Sequence, residues 1–136
     1  MSKLVFFVVF LWAASPLYAQ VSNIDNAELK QLITQGVPVI DVRRPEEWKQ
    51  TGVVKGSHLL TFFDKQGKYD VNKWMAEFSR IAGQDDTFIL ICRTGSRTGI
   101  ISKFLDQKLS YHKVNNVTKG ITQWIRKGNP VVKPAI

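Results

Sequence analysis

The chain has 136 residues, 44% of them hydrophobic, a formal net charge of +8 at pH 7 and one cysteine. That length and apolar content suit one domain with a substantial core and exclude a second of ordinary size, and one cysteine excludes an internal disulfide, so packing alone must hold the fold. The lysines are scattered without a run and without interleaved aromatic residues, which reads as a solvated surface and not a nucleic-acid face.

The first 19 residues, MSKLVFFVVFLWAASPLYA, read as an export signal. Lys3 supplies the positive end, Leu4 to Ala14 the apolar segment, and Ala19 a small residue at which a peptidase would cut. The apolar segment is well short of the roughly 20 residues of a membrane-spanning helix, so cleavage is expected and stable membrane insertion is not. Residues 20–136 would then be the mature domain, exported to the periplasm if the source is a Gram-negative bacterium and secreted otherwise. A lone thiol in an oxidising compartment must be buried or used.

Beyond that segment, short apolar runs alternate with helical patterns, which predicts an α/β domain with a largely parallel sheet. Asp25 followed by Glu28 is a capping-box pattern for a helix carrying Leu29, Leu32 and Ile33 and closed by Gly36. Val37 to Val42 (VPVIDV) is β-branched and nearly continuously apolar, as a strand covered on both faces should be. Pro45, Glu46 and Glu47 suit the first turn of a short helix through Trp48. Asp70 caps a third helix with Val71, Trp74, Met75 and Phe78 on one face. Thr87 to Cys92 (TFILIC) is a second buried strand, and a helix from about Ser96 should bury Ile100, Ile101, Phe104 and Leu105. Ser110 to Val117 reads as a last short strand, followed by a helix over Thr118 to Lys127 that Gly128 and Pro130 end.

The cysteine lies where the second strand meets its helix, in CRTGSRT (Cys92 to Thr98). In a parallel sheet that position is the carboxyl edge, where ligands bind. Backbone N–H groups of a glycine-containing turn converge there, the following helix directs its positive end at the same point, and Arg93 and Arg97 add full charges. Such surroundings favour a thiolate. Free cysteines often end core strands as small apolar residues, but a merely packed sulfur has no need of glycine, hydroxyls and two guanidiniums beside it. Cysteine phosphatases place five residues between cysteine and arginine, whereas Arg97 follows Cys92 after four, a tighter loop suited to one transferable sulfur atom.

At these residues the chain resembles the single-domain rhodaneses, the sulfurtransferase family with a six-residue active loop that starts at cysteine. IDVRRPEEW (Ile40 to Trp48) is similar to the first family signature, and GVVKGSHLL (Gly52 to Leu60) to the next through Gly52 and Gly56. CRTGSRT is similar to the active loop, and Val117, Gly120, Trp124, Gly128, Pro130 and Val131 fit the family's tail. Val53 and Lys55 stand where the family usually has histidine and proline, and Lys119 where it often has glycine.

The resemblance implies a rhodanese-like domain, a mostly parallel sheet flanked by helices, with no metal and no organic cofactor. It implies that Cys92 attacks the outer sulfur of an anionic donor such as thiosulfate, releases sulfite and keeps a persulfide, which cyanide, a thiol or a protein acceptor then discharges. Cys92 is the expected nucleophile, and Arg93, Thr94, Gly95, Ser96, Arg97 and Thr98 form the expected substrate-binding loop. Arg93 and Arg97 either attract the donor or are locked by an acid such as Asp41 or Glu46, and Asp41 with Arg43 reads as a structural ion pair. The rival from another class is a sulfur-carrier or protein-binding module with little small-molecule turnover. A cysteine hydrolase using His58 or His112 as base lacks any local motif for that base, and both histidines are expected at or near the surface.

Overall fold

The computed structural model describes residues 2–12 and 21–136. The elements run β1 (Ser22–Ile24), α1 (Asn26–Thr34), β2 (Val39–Asp41), α2 (Pro45–Thr51), β3 (His58–Leu59), α3 (Val71–Phe78), β4 (Phe88–Ile91), α4 (Ser96–Leu109), β5 (Val114–Val117) and α5 (Gly120–Arg126). The strands form one parallel sheet in the order β1-β5-β4-β2-β3. This is the α/β architecture that the alternation of apolar runs and helical patterns predicts.

Strand β4 occupies the centre, and all four of its residues are buried. Side chains alternate across a strand, so Phe88 and Leu90 join Ile40, Trp74, Phe78, Ile101 and Leu105 on one side of the sheet. Ile89 and Ile91 join Leu29, Val39, Val117, Ile121 and Trp124 on the other. Each such side chain contributes about 1.5–3 kcal/mol when it leaves water. On the first side, Trp74 stacks on Phe78 with centroids 4.8 Å apart, and Phe78 meets Phe88 edge-on at 4.9 Å.

The helix starts obey their capping residues. Asp25 accepts from the Glu28 N–H at 2.8 Å, while the Glu28 carboxylate accepts from the Asp25 N–H at 3.3 Å. Asp70 accepts from the Lys73 N–H at 3.1 Å, and Pro45 opens α2.

Two edge strands add to the expected elements, and three expectations change. Strands β1 and β3 carry no strand-like composition and exist because they lie at the two edges, each ordered by pairing with one neighbour. Ile100 is 63% exposed, and α4 instead buries Thr98, Ile101, Ser102 and Leu105. The last strand starts at Val114 because Ser110, at φ 58°, turns the chain out of α4. The last helix begins at Gly120, whose φ of 61° delays regular winding past Thr118.

Of the expected export segment, Leu4 to Trp12 are exposed and carry neither helix nor strand. The expected cleavage after Ala19 lies outside the described residues. No helix among the described residues is long and apolar enough to cross a membrane.

Candidate active site

Cys92 follows β4 at the carboxyl edge of the sheet and is 1% exposed. The chain then turns through Arg93, Thr94 and Gly95 into α4, whose positive end therefore faces the loop. Gly95, at φ 96°, donates its N–H to Cys92 Sγ at 3.2 Å. A side chain there would collide with the Thr118 carbonyl, so the close approach of the loop to the end of β5 requires glycine.

Gly120 makes the matching approach from the other side. A Cβ at that position would strike the Arg93 carbonyl. The first turn of α5 then donates the N–H of Ile121 to the Cys92 carbonyl at 2.9 Å and that of Thr122 to the Arg93 carbonyl at 3.1 Å. Helix-start amides that lack an intrahelical partner thus hold the carbonyls of the loop in place.

Thr98 is fully buried, with Oγ1 3.3 Å from Cys92 Sγ and 2.6 Å from Asn116 Oδ1. Asn116 in turn donates from Nδ2 to Asn23 Oδ1 at 3.1 Å. Arg97 is partly buried and grips Glu47 through Nη1–Oε2 at 2.8 Å and Nη2–Oε1 at 2.6 Å. Burial pushes the Glu47 carboxyl up, but hydrogen bonds from Arg97 and from the Arg44 N–H outweigh it and hold the group at about 2. The Glu47 hydrogen bond raises Arg97 against the cost of its own burial, and the fields of Cys92 and Asp41 add to the rise.

The acid that holds Arg97 is therefore Glu47, not Asp41 or Glu46. Successive helix residues point about 100° apart. Glu47 accordingly faces the loop while Glu46 faces outward to Arg44 at 2.7 Å and Lys65 at 3.9 Å. Asp41 is occupied elsewhere: it and Arg43 are both fully buried and meet at 2.8 Å. The Arg43 guanidinium also donates to Thr51 Oγ1 at 2.9 Å and the Gly52 carbonyl at 3.0 Å, which fastens the far end of α2 to β2. Arg43 and Arg97 together fix both ends of the short helix beside the loop.

Arg93, Thr94 and Ser96 are exposed on the loop, and His58 and His112 are exposed on β3 and ahead of β5. No ion pair involves Arg93 among the described residues. Sequence reasoning missed the roles of two contributors and the contact made by a third. Glu47 reads in sequence only as a helix-start acid. Asn116 left a trace, one of two asparagines between the valines of the last strand, and is 6% exposed. Gly120 fits the family's tail in sequence, but its approach to the Arg93 carbonyl shows only in the structure.

A family model for the rhodanese-like domain matches residues 25–127. The chain is 28% identical over 116 residues to Rhodanese-like domain-containing protein 17 of Arabidopsis thaliana, covering 82% of this chain and 73% of that one. It is 29% identical over 116 residues to a protein named sulfurtransferase from Allochromatium vinosum, covering 84% of this chain and 97% of that one. Among solved structures, a rhodanese-related protein from Thermoplasma volcanium superposes with a TM-score of 0.63 at 29% identity, over 83% of this chain and 99% of that one. With the match spanning nearly the whole sheet and the loop at Cys92, this chain belongs to the rhodanese-like domain family.

Proposed function

We propose that the protein is a sulfurtransferase that moves a sulfane sulfur from thiosulfate or a similar anionic donor to a thiophilic acceptor through a persulfide on Cys92. One observation carries the reading: the Cys92 sulfur sits at the head of α4 under the Gly95 N–H, in a loop one residue shorter than a phosphate-holding one. The name of the Allochromatium vinosum relative supports it.

In this mechanism the Cys92 thiolate attacks the outer sulfur of thiosulfate. The S–S bond of the donor breaks and sulfite leaves with its electron pair, so Cys92 holds a terminal sulfur anion. The α4 dipole and the N–H groups of the Arg93 to Thr98 loop, where the Gly95 N–H already donates to Cys92 Sγ, stabilise that anion. An acceptor thiolate, or cyanide, then attacks the outer sulfur and the Cys92 thiolate leaves. Arg93 is exposed and draws the donor, whereas Arg97, held by Glu47, shapes the loop.

The same proposal takes the chain as exported with residues 1–19 removed, which the mass of the chain recovered from the source cell's exported fraction checks. For the chemistry, intact mass is measured before and after thiosulfate and again after cyanide, with Cys92→Ser alongside. One sulfur gained by the native chain alone, and released by cyanide as thiocyanate, is the expected result. No gain on the reduced native chain rejects the thiosulfate enzyme in favour of a carrier or protein-binding module.

A further inference from the structure

The Thr98 hydroxyl lies within hydrogen-bond reach of Cys92 Sγ at 3.3 Å, the Gly95 carbonyl at 3.3 Å and Asn116 Oδ1 at 2.6 Å. A hydroxyl has one proton to give, and an amide oxygen only accepts. The proton therefore lies on the shorter line, toward Asn116, and Thr98 offers the sulfur a lone pair. That suits a thiol, whose S–H points at Thr98. The chain of bonds continues from Asn116 Nδ2 to Asn23 Oδ1 across the parallel register of β5 and β1. Every proton between Cys92 and the surface thus points away from the sulfur.

This direction opposes an anionic sulfur. A thiolate or persulfide has no proton for Thr98 and would face its lone pair instead. An amide can reverse the chain without changing shape, because turning it over exchanges Oδ1 and Nδ2 in nearly the same places. Asn116 would then donate to Thr98, and Thr98 to an anionic sulfur in preference to the equally near but neutral Gly95 carbonyl. Asn23 is exposed, so water can satisfy either end of its amide. Neither an aliphatic residue nor a carboxylate could serve at position 116, since one has no polar atom and the other only accepts.

We propose that Asn116 is a positioning residue for Cys92: its amide orientation, completed by Asn23, decides whether Thr98 accepts from a thiol or donates to a sulfur anion. The inference rests on the reading in which Cys92 reacts as an anion. The charged groups around the sulfur are Arg97 on α4, Glu47 on α2, Asp41 and Arg43 at the end of β2, and Arg93 on the loop. Among the described residues none of these side chains hydrogen-bonds Thr98, Asn116 or Asn23, so the relay is separable from them.

The test locks the relay from its exposed end. In Asn23→Asp both terminal oxygens accept, which favours Asn116 donating outward and so disfavours Thr98 turning its proton to the sulfur. Ser22→Asp places the same charge one residue away on β1 and outside the relay. The readout is the iodoacetamide alkylation rate of the single cysteine near neutral pH, followed by intact mass with no sulfur donor present. Asn23→Asp should alkylate roughly tenfold more slowly than the native chain, the scale of one hydrogen bond to an anion. Ser22→Asp should match the native chain, because its exposed side chain lies on the opposite face of β1 from Asn23 and joins no bond of the relay. In a Thr98→Val background, adding Asn23→Asp should change nothing further.

Equal slowing by the two aspartates, or slowing that persists without the Thr98 hydroxyl, assigns the effect to charge and overturns the relay. A native rate in Asn23→Asp overturns it as well. If Thr98→Val does not fold, the contrast between the two exposed aspartates decides alone. Because alkylation needs no sulfur donor, a chain that never loads sulfur can still display the relay, and a chain that loads sulfur can still lack it.

Discussion

Arg97 and Glu47, fifty positions apart, meet fork to fork with N–O distances of 2.8 and 2.6 Å and tie the first turn of α4 to α2. A guanidinium facing a carboxylate in this way makes two parallel charge-assisted bonds, which fixes orientation as well as distance. The Glu47 side chain is only 13% exposed, so the pair is poorly replaced by water.

Replacing Glu47 by Gln should therefore destabilise the fold by about 1–3 kcal/mol near neutral pH, measured by urea unfolding. The carboxyl is held at about 2 against a usual 4.5, so folding favours its charged form. Its contribution is fully present above the usual value and is lost as pH falls from there through the folded one. The gap between native and Glu47→Gln stabilities should close over that acid window. A gap independent of pH would show that the pair's charge contributes nothing.

Asp41→Asn should be more damaging, because it leaves the Arg43 guanidinium fully buried without its counter-charge. Loss of one partner of a buried pair costs about 3–5 kcal/mol. Urea midpoints measure it, and a change below the effect of Glu47→Gln would contradict the ranking.

Gly95→Ala and Gly120→Ala should each disable sulfur loading, since the new methyl meets the Thr118 carbonyl in one case and the Arg93 carbonyl in the other, both at left-handed φ. Gly36→Ala, at a similar φ but with open space around it, is the control. It should show only the cost of the strained backbone, of order 1–2 kcal/mol, and load sulfur normally. Intact mass after thiosulfate reads all three.

The two loop arginines should separate. Arg93→Ala, at an exposed site, should leave the urea midpoint unchanged and raise KM for thiosulfate severalfold. Arg97→Ala should lower the midpoint, because the largely buried Glu47 carboxylate loses its bidentate partner and keeps only Arg44. An unchanged KM in Arg93→Ala would remove that residue from donor binding.

The central elements were legible because their physics is local. The run Phe88–Ile91 has no polar residue and must be covered on both faces, while Asp25, Pro45 and Asp70 carry helix-start chemistry in their own side chains. Edge strands β1 and β3 were not legible, since Ser22–Ile24 and His58–Leu59 become strands only through the neighbours they pair with. Ile100 misled for a related reason: the helical stripe gives the period of α4 but not its rotation, and the bond between Thr98 and Asn116 turns Thr98 inward and leaves Ile100 in water.

By itself, then, the order of residues determined the α/β class, the strand–loop–helix unit around Cys92 and the loop length, because hydrophobic period, capping chemistry and covalent spacing act over a few residues. Only the tertiary structure decided which acid holds Arg97, that Gly120 admits α5 to the loop carbonyls, and that Asn116 reaches Thr98. Those partners lie far apart in the chain, and the parallel sheet brings them together by stacking the carboxyl ends of β2, β4 and β5 along one edge.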